Sequence, residues 1–461
     1  MERDRDRVCC EIHIYGVKWE TEMALSLEQY RDIWKENPTI KNILTKRIER
    51  QRKKALGFSI NIGNQIPAHL IIEILSRLPV KALLQFKSVC KLWYDIIKSS
   101  HFISKHLRNY YDDNNNWRDC LIVQYSSVGQ AGALIAYELL IDDTKNRTVS
   151  YQRIETPVYN SLLCGPCDGI YLVWSSSVFN PKRSLWNPAL NEFKILPNIN
   201  CWKPNLPSNP IYIGEAYGFG YDSKTDDYKV ILILYYGDTL DDISRITINP
   251  MSILIYSLRT NSWRHWGDMD NSYYLEPNGS YVFVNGCYYW LASRLLTHGW
   301  DTKIFSFDLN AETCQEIPLP QFESEPKYSQ LIVYQDSIGF VYVPDDDNTR
   351  FNVYTWNNGV WTQKLSIKLD FEVWGTFSQW KDNMLVFTHS DLKLVLLDTN
   401  TKEIFILAKA DPRACQWDNI CAYKESLVSI NDFGRTLCRR QICEDVRYLN
   451  NKLLPNVPVL D

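Results

Sequence analysis

Six times between residues 134 and 408 the chain repeats one phrase: a run of β-branched and aromatic residues, a polar turn, and a second such run. The copies are LIAYELLIDDTKNRTVSYQRI (134–154), SLWNPALNEFKILP (184–197), ILIYSLRTNSWRHWG (253–267), IFSFDLNAETCQEIPLP (304–320), FNVYTWNNGVWTQKLSI (351–367) and LVLLDTNTKEIFILA (394–408). Single strand candidates stand between them at 168–174, 227–236, 286–292, 336–343, 382–389 and 425–430. The last four copies recur about 43 to 50 residues apart, the length of one four-stranded propeller blade. An isolated small sheet leaves two edges unpaired, whereas blades packed around an axis bury their faces on one another. The expectation is a mainly β domain over 118–445, a propeller of about six degenerate blades. A β-sandwich would give similar strand spacing without the repeat and stays as the alternative. The 16 Trp, 28 Tyr and 17 Phe agree with either.

Upstream, 66–102 reads differently. Pro67 suits a first helical position, and Leu70, Ile71, Ile74, Leu75 and Leu78 follow at helical spacing. Pro79 cannot continue that helix. A second pattern places Leu83, Phe86, Val89, Cys90, Trp93 and Ile97 on one side, with Lys81, Lys87, Lys91, Asp95 and Lys98 mostly between them. Three short helices in about 40 residues bury little surface alone, so part of this apolar face seeks a partner. A helical hairpin packed on its own protein would show the same periodicity.

The wording of the stretch resembles a plant-type F-box, whose pattern is L-P-x-x-L-x-x-E-I-L-S-R-L-P-V-K-x-L-L-x-F-[KR]-x-V-C-K-x-W. Ile66–Pro67 replaces Leu-Pro, Leu70 is present, Glu73 to Lys81 match without a gap, and Leu83, Leu84, Phe86, Lys87, Val89, Cys90, Lys91 and Trp93 complete it. The resemblance implies an F-box over 60–108 that docks on the Skp-like adaptor of a cullin-RING ubiquitin ligase by helix-in-groove recognition. The adaptor-binding residues expected from it are Pro67, Leu70, Ile74, Leu75, Leu78, Pro79, Leu83, Phe86, Val89, Cys90 and Trp93. The fold class is then α+β multidomain, a three-helix F-box before a kelch-like propeller.

A second resemblance runs through the β region. Leu185-Trp186-Asn187-Pro188-Ala189, then Tyr217 to Asp222 with Thr225 to Val230, resemble the LWNP[AS] and GFG[FY]D-x-x-T-x-D-Y-K-V motifs of F-box-associated domains. Tyr256-Ser257-Leu258, Ser262-Trp263, Asn285-Gly286, Tyr289-Trp290-Leu291 and Tyr423-x-Glu425-Ser426-Leu427 continue them in order. The wording is most similar to S-locus F-box and S-locus-F-box-like proteins. That family implies a non-catalytic adaptor whose propeller loops choose a protein substrate, with pistil S-ribonucleases of self-incompatibility as one such substrate. An F-box adaptor for an unrelated plant substrate would read almost identically.

Composition bounds the rest. At 461 residues with 45% apolar and 23% charged side chains, the chain is globular rather than disordered. A net charge of −4 makes no case for nucleic acid. The charged start MERDRDRVCC is no secretory signal, and no apolar run reaches the roughly 18 residues that a membrane span needs. Thirteen cysteines without a framework fit reduced thiols, so the expectation is a cytoplasmic protein. Residues 1–58 match neither resemblance. They hold a candidate capped helix opening at Ser26 with Gln29, and the basic cluster 46–54 is either an import signal or a solvated helix face.

No catalytic constellation stands out. Cys164-Gly165-Pro166-Cys167 has redox spacing, but Asp168-Gly169 and a strand follow where a thioredoxin-like site needs a helix. A thiol redox protein is therefore a weak alternative, as is a carbohydrate-binding propeller with Tyr273, Tyr274 and Trp300 in its loops. The seven histidines are dispersed, and no second C-x-x-C, G-x-S-x-G or P-loop occurs, so no metal or cofactor is expected. Of the longest loop candidates, 198–211, 237–250, 266–279 and 344–350, the last three are rich in acids. Asp241, Asp242, Asp345 and Asp346 are the substrate-facing residues expected there, either steering a basic partner or serving solubility.

Overall fold

Pro79, Cys90 and Ser99 cut the helical stretch into pieces. In the computed structural model these are α1 (Ala68–Leu75), α2 (Val80–Phe86), α3 (Lys91–Lys98) and α4 (Ser100–Tyr110). The structure describes residues 68–110, 120–129, 132–143, 148–158, 161–175, 182–200, 211–237, 251–269, 274–275, 281–296, 299–381, 383–389, 391, 393–409 and 414–432. The expectations for residues 1–58, Pro67, Asp241 and Asp242 lie outside them. Pro79 and Cys90 are extended N-caps of α2 and α3. Four helices stand where the sequence led us to expect three. Ser99 explains the fourth: its Oγ accepts the N–H of Phe102 at 3.2 Å while its own backbone is extended, which ends α3 and starts α4. Leu75, Leu83 and Trp93 are 1%, 0% and 5% exposed and form the module's interior. Each contributes about 1.5–3 kcal/mol by leaving water.

The β domain runs β1 (Cys120–Gly129), β2 (Gly132–Asp143), β3 (Thr148–Ile154), β4 (Ser161–Cys167), β5 (Ile170–Ser175), β6 (Arg183–Asn187) and β7 (Glu192–Ile195). It continues with β8 (Ile211–Asp222), β9 (Asp227–Gly237), β10 (Met251–Ser257), β11 (Ser262–Met269), β12 (Tyr274–Leu275), β13 (Tyr281–Val284), β14 (Cys287–Leu296), β15 (Gly299–Asp308) and β16 (Thr313–Ile317). The last strands are β17 (Pro326–Tyr334), β18 (Ser337–Pro344), β19 (Arg350–Asn357), β20 (Val360–Lys368), β21 (Val373–Lys381), β22 (Met384–His389), β23 (Lys393–Asp398), β24 (Ile404–Lys409) and β25 (Ala414–Tyr423). Every described pairing is antiparallel, and the strands form six sheets. Five are sequential meanders, one of them with its inner strand interrupted between β12 and β13. The sixth has the order β25-β1-β2-β3, so the last strand closes the first blade, with Tyr423 opposite Cys120. Inner strands β25, β4, β8, β13, β17 and β21 each touch the next, and β21 touches β25, which completes a propeller.

The six repeated phrases are the two outer strands of the six blades. The candidates at 168–174, 227–236, 286–292, 336–343 and 382–389 are the strands just inside them. The segment 425–430 is not a strand, for it leaves the sheet after Tyr423. Tyr256 and Phe307 are buried within the blades, and Leu396 packs at the edge of a core cluster.

Because strands alternate in direction, first-to-second and third-to-fourth connections of every blade share one end of the propeller. Those at 168–169, 223–226, 258–261, 285–286, 309–312, 335–336 and 358–359 are tight turns. β7, β9 and β18 end, and β8, β10 and β19 start, at the opposite end, the loop end. β1 starts and β25 stops at the turn end, so the helical module enters there.

Neighbouring blades approach closely at Gly218 on β8. A Cβ there would stand 2.9 Å from the Trp290 ring and 3.0 Å from Tyr288. Trp290 also donates its indole N–H to the Tyr217 carbonyl at 2.9 Å. Gly218→Ala should therefore cost about 1–3 kcal/mol through overpacking, read as a lowered Tm with the far-UV spectrum unchanged below the transition. An unaltered Tm would show that the two blades can part without cost.

Candidate functional site

The helical module spends its signature residues on its own architecture and leaves an apolar remainder outside. Glu73 accepts Arg77 at 3.0 Å and Lys105 at 2.6 Å, and the Lys105 hydrogen bond is the main reason its carboxyl sits below the usual range. Buried Ser76 donates to the Glu73 carbonyl and accepts the Asn109 amide at 2.8 Å. His106 lies buried 2.9 Å from the Leu78 carbonyl. Through these contacts α4 straps α1. Phe86 meets buried Trp93 edge-on at 5.3 Å.

Of the eleven adaptor-binding residues expected from the sequence, Leu75, Leu83 and Trp93 are interior. Leu70 is 46% exposed, while Ile74, Leu78, Pro79, Phe86, Val89 and Cys90 are half-buried. Leu70 and Ile74 lie one turn apart on α1, so they share a face. Exposed Tyr94, which the sequence reading passed over, adds a ring on α3.

The module rests on the turn end of the propeller. Ile103 packs against, and Leu107 belongs to, a core cluster that also holds Val428 and Ile430. Lys98 reaches Asp432 at 3.3 Å. The segment 424–432 is fastened below by Asn187, whose Nδ2 donates to the carbonyls of Ser426 and Val428 at 3.1 and 2.9 Å. Glu192 accepts the Ile430 N–H at 3.0 Å and the Ser429 hydroxyl at 2.8 Å. Sequence reasoning took 425–430 for a strand because its apolar alternation is real. Its unusual feature is that side chains, not a neighbouring strand, satisfy its backbone.

The Cys164–Cys167 pair lies on inner strand β4, with Asp168–Gly169 as the following turn. Burial pushes the Cys164 thiol up to about 12, and it sits 2.8 Å from the Tyr288 hydroxyl. A buried thiol so far from ionising is no redox nucleophile at neutral pH. Asp345 and Asp346 are exposed between β18 and β19 at the loop end, and Asp346 accepts the Ser324 hydroxyl at 2.9 Å. Their neighbour Asp347 is tied to Thr349 and Lys368, first of all by the Thr349 hydroxyl, which keeps its carboxyl low. Among the described residues no group of three potential ligands is placed to hold a metal, and no helix is long and apolar enough to cross a membrane.

His106 makes the module pH-sensitive. Burial lowers its pKa below the ordinary value, outweighing the Leu78 carbonyl, which raises it. The folded module therefore binds the proton less well than the unfolded chain does. Its contribution is present above about pH 6.5 and is lost as pH falls through the folded value. The Tm should drop between pH 7.5 and 5.5, and His106→Gln should flatten that part of the profile.

The whole arrangement is matched by known families. Residues 141–430 match the family model described as F-box associated beta propeller domain, and residues 64–105 match the F-box domain. Among relatives from Arabidopsis thaliana, At3g10430 is 31% identical over 262 residues, covering 56% of this chain and 62% of its own. F-box protein At3g08750 is 27% identical over 265 residues, 55% of this chain and 59% of its own. F-box protein At3g07870 is 27% identical over 270 residues, 55% and 60%. The chain thus spans about three fifths of the length of these curated relatives. With a helical module carrying the F-box wording seated on a propeller that the domain model covers nearly end to end, the chain belongs to the F-box associated beta propeller domain family.

Proposed function

We propose that this chain is a substrate-recruiting subunit of a Skp–cullin–F-box ubiquitin ligase. The observation that carries the reading is the division of the helical module. Leu75, Leu83 and Trp93 close its interior, while Leu70, Ile74, Leu78, Pro79, Phe86, Val89 and Cys90 stay partly open to solvent. What these side chains leave open to solvent is apolar surface that a partner's groove would desolvate. The chemistry belongs to the ubiquitin-conjugating enzyme on the cullin-RING arm. This chain supplies proximity between a bound protein and that thioester.

The face is tested with Leu70→Ala and Val89→Ala together in the full chain, against a Skp-like adaptor. Truncating two interface anchors should cost about 2 kcal/mol or more, at least a tenfold loss of affinity, with the Tm unchanged. Leu83→Ala is the contrast, for it empties a buried site and should lower the Tm. Undiminished adaptor binding by the double variant would remove this face from the interface.

The substrate is expected at the loop end, because β1 and β25 bring the helical module to the other end. The finer reading, supported by the S-locus wording of the motifs, is a basic secreted ribonuclease drawn by Asp241, Asp242, Asp345 and Asp346. Capture from style extract, and not from leaf extract, should weaken with salt. Reversing the four aspartates to Lys should reduce it several-fold at an unchanged Tm. Capture of the same partner by the reversed protein would exclude these loops, and a style extract without ribonuclease at any salt would exclude that substrate.

A further inference from the structure

We propose that residues 424–432 form a clasp that seats the helical module on the turn end of the propeller without help from the covalent linker, and so fixes the direction in which the module's exposed face points. The direction matters only under the adaptor reading above; the seat itself stands apart from it.

The clasp begins where topology puts it. β25 is the inner strand of its blade and ends at the turn end, so the chain emerges near the axis and crosses the neighbouring blade to leave. It crosses over the Asp168–Gly169 turn, where a Cβ on Gly169 would meet Ser426 Cβ at 2.6 Å and the Lys424 carbonyl at 2.7 Å. Gly169 also holds φ +74, so the turn and the crossing ask for the same residue. Below, Asn187 and Glu192 take up clasp carbonyls and an N–H. Within the clasp, the Val428 N–H goes to Ser426 Oγ and the Asp432 N–H to Ser429 Oγ. An irregular segment bonded this fully is built to stay in one place.

Above, it meets the helices in two ways. Apolar Leu427, Val428 and Ile430 are buried, and Val428 and Ile430 share their cluster with Leu107, with Ile103 packed against it. Charges are opposed across the same seam. Lys98 pairs with Asp432, Lys87 feels Glu192 and Asp432, and Lys81 acts on half-buried Glu425. The clasp is therefore a layer between module and propeller, holding each by different atoms.

The test cuts the linker in place. A site-specific protease sequence is inserted within 111–119 of the full chain, and the protein is cleaved after folding. The two fragments should co-elute in size exclusion at micromolar concentration; separation would overturn the proposal. Asn187→Asp is the paired variant. Its Oδ1 still accepts the N–H groups of Ala189 and Leu190, but the donor to the clasp is gone. In the cleaved protein it should weaken association at least tenfold. In the uncut protein it should speed amide exchange in 424–432 and α4 while the blades keep their protection. Unchanged association and exchange would assign the seat to other contacts. Adaptor binding by the uncut full chain is measured separately, so a failed seat and a failed adaptor reading give different results.

Discussion

The fold depends on one pairing made between residues about three hundred positions apart in sequence. β25 lies on β1 with Tyr423 opposite Cys120 and Ile420 opposite Val123, and that ladder turns an open row of sheets into a ring. Without it β1 would present a bare inner edge, and the blades on either side would lose their neighbour. Other fastenings tighten the ring. Gln330 bonds both the N–H and the carbonyl of Phe377 across two blades, and Arg183 reaches Glu215 at 2.7 Å and the Tyr217 hydroxyl at 2.5 Å across another pair. Each of these contacts joins two neighbouring blades side by side.

Seen in three dimensions, the sequence motifs of the β domain are halves of contacts. Asn187 in LWNPA holds the carbonyls of Ser426 and Val428, so that motif and the Tyr423–Leu427 wording answer each other. The Gly218 gap in the GFGYD wording receives Trp290 and Tyr288 of the next blade. Asp222 is buried, which would raise its pKa, but Lys229 at 2.5 Å, the Thr225 hydroxyl and the Lys224 N–H hold it low. Asp227 accepts Ser257 and the Arg259 N–H, which joins the D-Y-K-V wording to the Y-S-L that follows. Family wording in this domain thus records how blades and seat fit together.

How much of this could be read beforehand follows from the range of each interaction. Outer hairpins were legible because a strand, a turn with Asn261 or Asn358 at positive φ, and a second strand are local events. The inner strands were harder. β4 carries Cys164-Gly165-Pro166-Cys167, which reads as chemistry, and β13 is only four residues long; both are strands because their neighbours make them so. α4 had a local signal in Ser99, with Ile103 and Leu107 one turn apart, but a family pattern that ends at Trp93 drew attention away. The apolar positions of the F-box were legible as a set of residues. Its split into interior and exterior was not, because helical periodicity cannot tell which apolar side chains a neighbouring helix will cover.

Closure by the final strand also sets an order of events on the ribosome. The helical module precedes the blades and its interior, closed by Leu75, Leu83 and Trp93, is built from local contacts, so it can take shape while the blades are still being synthesised; its contacts with residues 424–432 come later. The propeller cannot finish until residues 414–423 have left the exit tunnel and found β1, whose edge has stood open throughout. The segment that then covers the turn end is translated immediately afterwards, so ring and seat are completed almost together. A message interrupted before that point would release an open crescent with an unpaired strand edge, the kind of surface on which quality control and aggregation both act.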